Sequence, residues 1–499
     1  MKSFKAVEET RRTYHADAAL NSVHRASLLA PAMAGAALDI SFLNHFLLKR
    51  GYPKVACRVT EIDVTGKRIQ ARMIPINEPR AYVLPLSEIS HKDATDFIIE
   101  FFAGENLFIP FPAVMVNHRG DGFMNCVHAY NRVLNDVFED DAVNKTTPRE
   151  AAIDVRIDDR ASTFLLFTAG QTACRGNLRL RLDTNGRRLE SELALDVPRF
   201  RHRVISLREA FPELNQVSGG VLTLDQPKQF MFYGRVLAGQ QATDGAFTAN
   251  HSYYDSSETP EYWGDPRPSA RLYPFFAAFD NRIRFYPILS PGQLRIGISP
   301  RDASGRVLAH IDGGLLETPS SAFIDVSVNE ACRSAGIDIS DVTAFAISTT
   351  PVGGNTPTRV NHQLVFVSGG LESSINMSLN NPNVFSPPGK KGFSWGQLAV
   401  SDELDTWLGV TTNLPDGADC EVEASFYNAN GKVADTRIRV PGGSARTFRP
   451  DQFLPSSALP QDGAVDYVWF ELRSERPDVF GYAIARHRRT GHCTGEHGF

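Results

Sequence analysis

Alternation of apolar and polar positions is the strongest local signal in the chain. Leu178-Arg179-Leu180-Arg181-Leu182 and Leu294-Arg295-Ile296-Gly297-Ile298 turn one apolar face inward. A period of two means a strand with one buried face. Each such strand runs into the same turn. The copies are Asp63-x-x-Gly66-Lys67, Asp183-x-x-Gly186-Arg187, Asp302-x-x-Gly305-Arg306 and Asn428-x-x-Gly431-Lys432, with glycines 120, 119 and 126 residues apart. Asp or Asn can bond its own downstream backbone and Gly accepts positive φ, so the turn predicts a hairpin. A period as long as a small domain predicts an array of domains, not a solenoid.

The pattern around each turn repeats as well. A third alternating segment follows, as in Arg203-Val204-Ile205-Ser206-Leu207. Ser206-x-x-Glu209 and Ser327-x-x-Glu330 then read as capping boxes of a short helix, with Ser87 and Pro450 at matching places. Two more strands close the unit. Six or seven short strands with turn signals between them read as an antiparallel sandwich. The expected fold is all-β: a tandem array of four antiparallel β-sandwich, immunoglobulin-like repeats of ~120 residues, each with a short inserted helix. The repeats fall at residues 41–140, 155–258, 280–382 and 400–499, with polar or Pro-rich linkers between them. Residues 1–40 stand outside the repeat. Ala26–Leu38 is apolar and rich in small residues, and reads as an N-terminal helical arm.

Composition narrows the function. A net charge of −5 argues against non-specific nucleic-acid binding. No run of about 18 apolar residues exists, so no membrane span is expected. Of the six cysteines, Cys57, Cys174 and Cys420 fall at similar repeat positions and only Cys126 and Cys493 offer a second shared one, so reduced thiols in the cytoplasm are a simpler expectation than a disulfide framework. No P-loop, dinucleotide fingerprint or nucleophile elbow is present.

The candidate chemistry lies at repeat ends. The last strand carries His-x-aromatic at His128-x-Tyr130, His251-x-Tyr253 and His497-x-Phe499, and Asn376 holds the comparable place in the third repeat. Imidazole is the commonest metal ligand. His128, His251 and His497 are therefore candidate ligands of a divalent metal, zinc or similar, if the repeats converge. The structural alternative is a duplicated histidine bonded to a loop. Asn117, His118 and Tyr130 form a polar cluster in the first repeat. Tyr253, Tyr254 and Trp263 are aromatic platforms in or beside a linker, suited to sugar or protein. Arg179 and Arg181 share a strand face, and read as a solvated face paired with Glu190, Glu192 and Asp196.

These features point to a non-catalytic binding or scaffold protein. Its partner would be carbohydrate, another extended polymer or a protein. A metal-dependent enzyme or metal-binding protein is the alternative, and a structural subunit of an oligomeric assembly is the third.

Overall fold

The computed structural model describes residues 24–103, 113–128, 150–227, 236–252, 268–287, 291–318, 320, 322–353, 356–357, 360–379, 391–412 and 418–499. It is built from eight four-stranded antiparallel sheets. They occur in four pairs, each pair spanning one module: His24–His128, Glu150–His251, Ser269–Leu379 and Gly392–His497. All four modules share one strand order. The first, sixth, third and fourth strands form one sheet, and the fifth, second, seventh and eighth form the other.

Alternation explains the layering. In Cys174–Thr184 the residues Leu178, Leu180 and Leu182 are buried while Arg179 is exposed. Those leucines share one core with Leu165, Phe167 and Ile205 from the opposite sheet. Burying a side chain of this size contributes about 1.5–3 kcal/mol, so the paired sheets hold each other. Modules 3 and 4 have cores of the same make-up.

Three sequence expectations change. Eight strands, not six or seven, make each module. In the immunoglobulin order the first two strands are neighbours in one sheet; here they lie in opposite sheets. Residues 24–40 are not helical. They contribute the strands His24–Pro31 and Ala37–Leu43, with Leu28, Leu29, Leu38 and Ile40 fully buried. The segment is apolar on every side, so it has no polar face for a surface helix. It pairs instead with Asp96–Ala103, and Pro31 sits harmlessly at the strand end. The same omission recurs downstream. Each of the other three modules opens with a strand in or overlapping a stretch whose composition reads as linker: Glu150–Asp154, Ser269–Pro274 and Gly392–Val400.

A short helix or 3-10 turn follows the fifth strand in every module. Ser206 Oγ accepts from the Arg208 N–H and Ser327 Oγ from the Glu330 N–H, so both predicted caps form. Ser87 Oγ accepts instead from the Leu38 N–H.

The repeated turn takes two forms. In modules 1 and 3 the Asp carboxylate accepts two backbone N–H groups and a hydroxyl: Thr65, Lys67 and Thr65 Oγ1 on Asp63, and Ser304, Arg306 and Ser304 Oγ on Asp302. Modules 2 and 4 replace Thr or Ser by Asn185 and Asn430. There the loops tighten to two residues, between Thr184 and Arg187 and between Asn428 and Gly431. Asn185 and Gly186 have φ of 49° and 70°, as an Asn-Gly hairpin turn requires.

By compactness the chain forms two units. Unit 1 is Met1–Asp121 with Val127–Ser256, and unit 2 is Gly122–Cys126 with Ser257–Phe499. In unit 1 the module 1 turn rests on module 2. A Cβ added to Gly66 would lie 2.5 Å from the Arg199 carbonyl oxygen. Phe200 packs with Leu29, Ile62 and Ile98. In unit 2 the module 3 turn meets the equivalent loop of module 4. A Cβ on Gly305 would lie 2.0 Å from the Gly442 oxygen. Ser444 Oγ donates to the Asp302 carbonyl at 3.0 Å, and Ala445 packs with Leu272 and Ala344. At Gly186 and Gly431 nothing among the described residues lies within 4 Å of such a Cβ.

Candidate functional site

Strand register carries the histidine position across modules. From the helix cap Ser206, pairing runs through Phe164 and Gly239 to Ala249, two residues before His251. From Ser327 it runs through Arg282 and Val365 to Ser374, two residues before Asn376. His497 stands opposite Tyr482 at the matching place in module 4.

The imidazoles of His251 and His497 are oriented alike within their own units. The backbone N–H of each donates to the preceding side chain, Asn250 Oδ1 at 2.7 Å and Glu496 Oε1 at 3.0 Å. The Nδ1 of each faces the next carbonyl, Ser252 at 3.3 Å and Gly498 at 2.7 Å. A carbonyl only accepts, so Nδ1 carries the proton and Nε2 keeps its lone pair. In unit 1 the His251 Nε2 lies 3.1 Å from the His128 Nε2, with ring planes at 80°. His251 is buried and His128 half-buried. In module 3 the position has become part of a polar core network, where Tyr286 and Gln363 donate to Asn376 Oδ1.

The other sequence candidates lie elsewhere. Asn117 and His118 are fully buried, so neither reaches the surface. His118 Nε2 donates to the Pro31 carbonyl at 2.9 Å, its ring meets Phe247 edge-on, and burial holds its pKa at about 4. Tyr130, Tyr253, Tyr254 and Trp263 lie outside the described residues. The arginine face of module 2 is paired across strands, Arg175 with Asp196 and Arg179 with Glu192.

Sequence reading missed two features. At the junction of modules 1 and 2, buried Asp96 accepts from Arg201 and from His202 Nδ1, the latter at 2.6 Å. Arg201 already neutralises this carboxylate. Burial first, then the Arg201 charge, holds the His202 pKa at about 3, so His202 is a neutral donor. No local motif marks these residues, because Asp96 and His202 come from different modules.

The second feature is on the outer face of the first-sixth-third-fourth sheet. Module 4 has an open depression of ≈ 560 Å³ there, lined by Ser425, Tyr427, Lys432, Arg437, Glu471 and Arg473 among others. Glu471 is buried, takes Arg473 on Oε1, and leaves Oε2 without a hydrogen-bond partner among the described residues. Module 2 has a smaller depression of ≈ 290 Å³ on the same strands, with Arg179, Arg181, Glu190, Glu192 and Asp225.

No family model matches the chain, and no curated protein matches it. Among solved structures it aligns with a crystal structure of a tetra-tandem repeat in the extending region of a large adhesion protein. The alignment has 11% identity over 89% of this chain and 91% of that one, with a TM-score of 0.09. At that score the likeness carries no argument.

Proposed function

We propose that the chain is a non-catalytic binding protein made of four tandem sandwich repeats, which takes a hydroxyl-rich polymer, a carbohydrate, on the outer sheet faces of modules 2 and 4. The observation that carries this reading is the module 4 depression with the unpartnered Glu471 Oε2 in its wall. A buried acceptor without a donor costs about 1–3 kcal/mol, and a ligand hydroxyl would recover that. The surrounding charges are exposed cross-strand pairs such as Arg437 with Glu421 and Lys432 with Asp435. Such pairs are worth about 0.2–1 kcal/mol, so sugar hydroxyls could displace them at low cost. A second depression lies on the same strands of module 2, and a polymer that engages both faces would gain apparent affinity through effective concentration.

The test is a glycan array probed with the full chain, followed by titration of the best polysaccharide. Arg437→Ala with Arg473→Ala, or Arg179→Ala with Arg181→Ala, should each weaken binding by about a hundredfold through loss of one attachment point. Absence of glycan binding, or binding that both variants leave unchanged, would refute the reading.

A further inference from the structure

We infer that His128 and His251 form a binding site for one divalent transition-metal ion of the zinc, cobalt or nickel class. The inference is independent of polymer binding. Three observations combine. The two Nε2 atoms face one another at 3.1 Å. Two Zn–N bonds of about 2.0–2.1 Å in tetrahedral arrangement put their nitrogens about 3.3 Å apart, so a small outward shift admits the ion. The His251 Nδ1 donates to the Ser252 carbonyl, which fixes the tautomer with its lone pair on Nε2. Orientation of a ligand imidazole by a backbone carbonyl on its far nitrogen is how metal-binding histidines are held.

The ring planes cross at 80°, with centroids 4.6 Å apart. The rings are therefore edge to face, not stacked, and the two Nε2 atoms are the ring atoms brought within hydrogen-bond distance. Without metal, His128 Nε2–H donates to His251 Nε2. With metal, His128 moves that proton to Nδ1 and presents a second lone pair, and no oxidation or reduction is involved. Neutral imidazole suits zinc, cobalt and nickel and gives little to magnesium or calcium. The position is also repeated. His497 in unit 2 has its Nδ1 held by Gly498 in the same way, whereas module 3 places Asn376 there and ties it into hydrogen bonds.

The experiment is titration of the chelator-treated full chain with Co²⁺ and Zn²⁺, read by calorimetry and by the cobalt d–d absorption. The expected result is an ion whose affinity falls at least about a hundredfold in both His128→Gln and His251→Gln, since loss of an orienting partner alone costs about 10–100-fold. Melting of the metal-free variants checks that they fold. Should His251→Gln unfold, His128→Gln at the half-buried position still decides. In the wild-type chain, ¹⁵N shifts of both Nε2 atoms should move on adding Zn²⁺. No binding, binding that both variants retain, or binding that leaves these two imidazole signals unmoved would overturn the assignment.

Discussion

Gly305→Ala, compared with Gly186→Ala, separates the two roles of the repeated turn. Both glycines have positive φ, +86° and +70°. An L-residue in that region costs about 1–2 kcal/mol, and this penalty is common to both. Their surroundings differ. The new Cβ at Gly186 meets open space, whereas at Gly305 it lies 2.0 Å from the Gly442 carbonyl oxygen, against about 3.4 Å for an ordinary contact. The two backbones must part by about 1.4 Å. That shift strains the Ser444 Oγ to Asp302 bond and the packing of Ala445 on Leu272 and Ala344. Overpacking of this kind costs about 1–3 kcal/mol, and a lost hydrogen bond about 1 more. The expected destabilisation is about 3–6 kcal/mol for Gly305→Ala and about 1–2 kcal/mol for Gly186→Ala. Urea unfolding gives the totals. Hydrogen exchange at Thr343, whose Oγ1 lies 3.0 Å from Ser444 Oγ, and around Ser444 should show the module 3–4 junction opening first. Equal losses within about 0.5 kcal/mol, or unchanged exchange at the junction, would refute the claim that this turn docks modules.

Other predictions concern burial. Burial holds His45, His118 and His202 in unit 1 at about 3, 4 and 3, and His362 in unit 2 at about 3. Each is neutral when folded and takes a proton when unfolded. Stability is therefore complete above about 6.5 and declines as pH falls below it, by up to about 2 kcal/mol per histidine at pH 5. Unit 1 should lose more than unit 2 between pH 7 and 5 by hydrogen exchange, and equal loss would contradict the assignment. Arg201→Leu strands the buried Asp96 carboxylate and should cost about 3–5 kcal/mol; adding Asp96→Leu should recover part of it, and a strictly additive cycle would show no coupling. All six cysteines are buried thiols outside any disulfide, with Cys174 and Cys332 raised to about 11 by desolvation. Iodoacetamide at neutral pH should leave the native chain unlabelled and modify all six thiols once it is unfolded.

The period-two pattern made the strands of the middle of each module legible, because one buried face forces alternation. The opening strands were not legible. His24–Pro31 and Gly392–Val400 lack a clean alternation, and their short apolar runs resemble helix or linker as much as strand. Tertiary pairing with the sixth strand decides them. The histidine position could be read from spacing alone, yet its chemistry could not. Whether Nε2 is available depends on a single carbonyl at Ser252 or Gly498, which no side-chain pattern encodes.

The turn carried more information than its spacing revealed. Thr65 and Ser304, at the third position of the motif, mark the turns that rest on a neighbouring module, and Asn185 and Asn430 mark the two-residue turns, whose glycines meet no neighbour among the described residues. The hydroxyl explains the difference. By donating to the Asp carboxylate it holds the wider loop, whose glycine can then lie flush on a neighbouring backbone. Asn favours a two-residue turn that projects beyond the strands. Thr65 and Ser304 thus mark a docked turn within each unit, module 1 on module 2 and module 3 on module 4. Exchanging Asn185 for Thr should widen the module 2 turn, with Gly186 amide exchange slowing as the Asp183 carboxylate takes up the new hydroxyl; an unchanged rate would separate the loop's width from this residue.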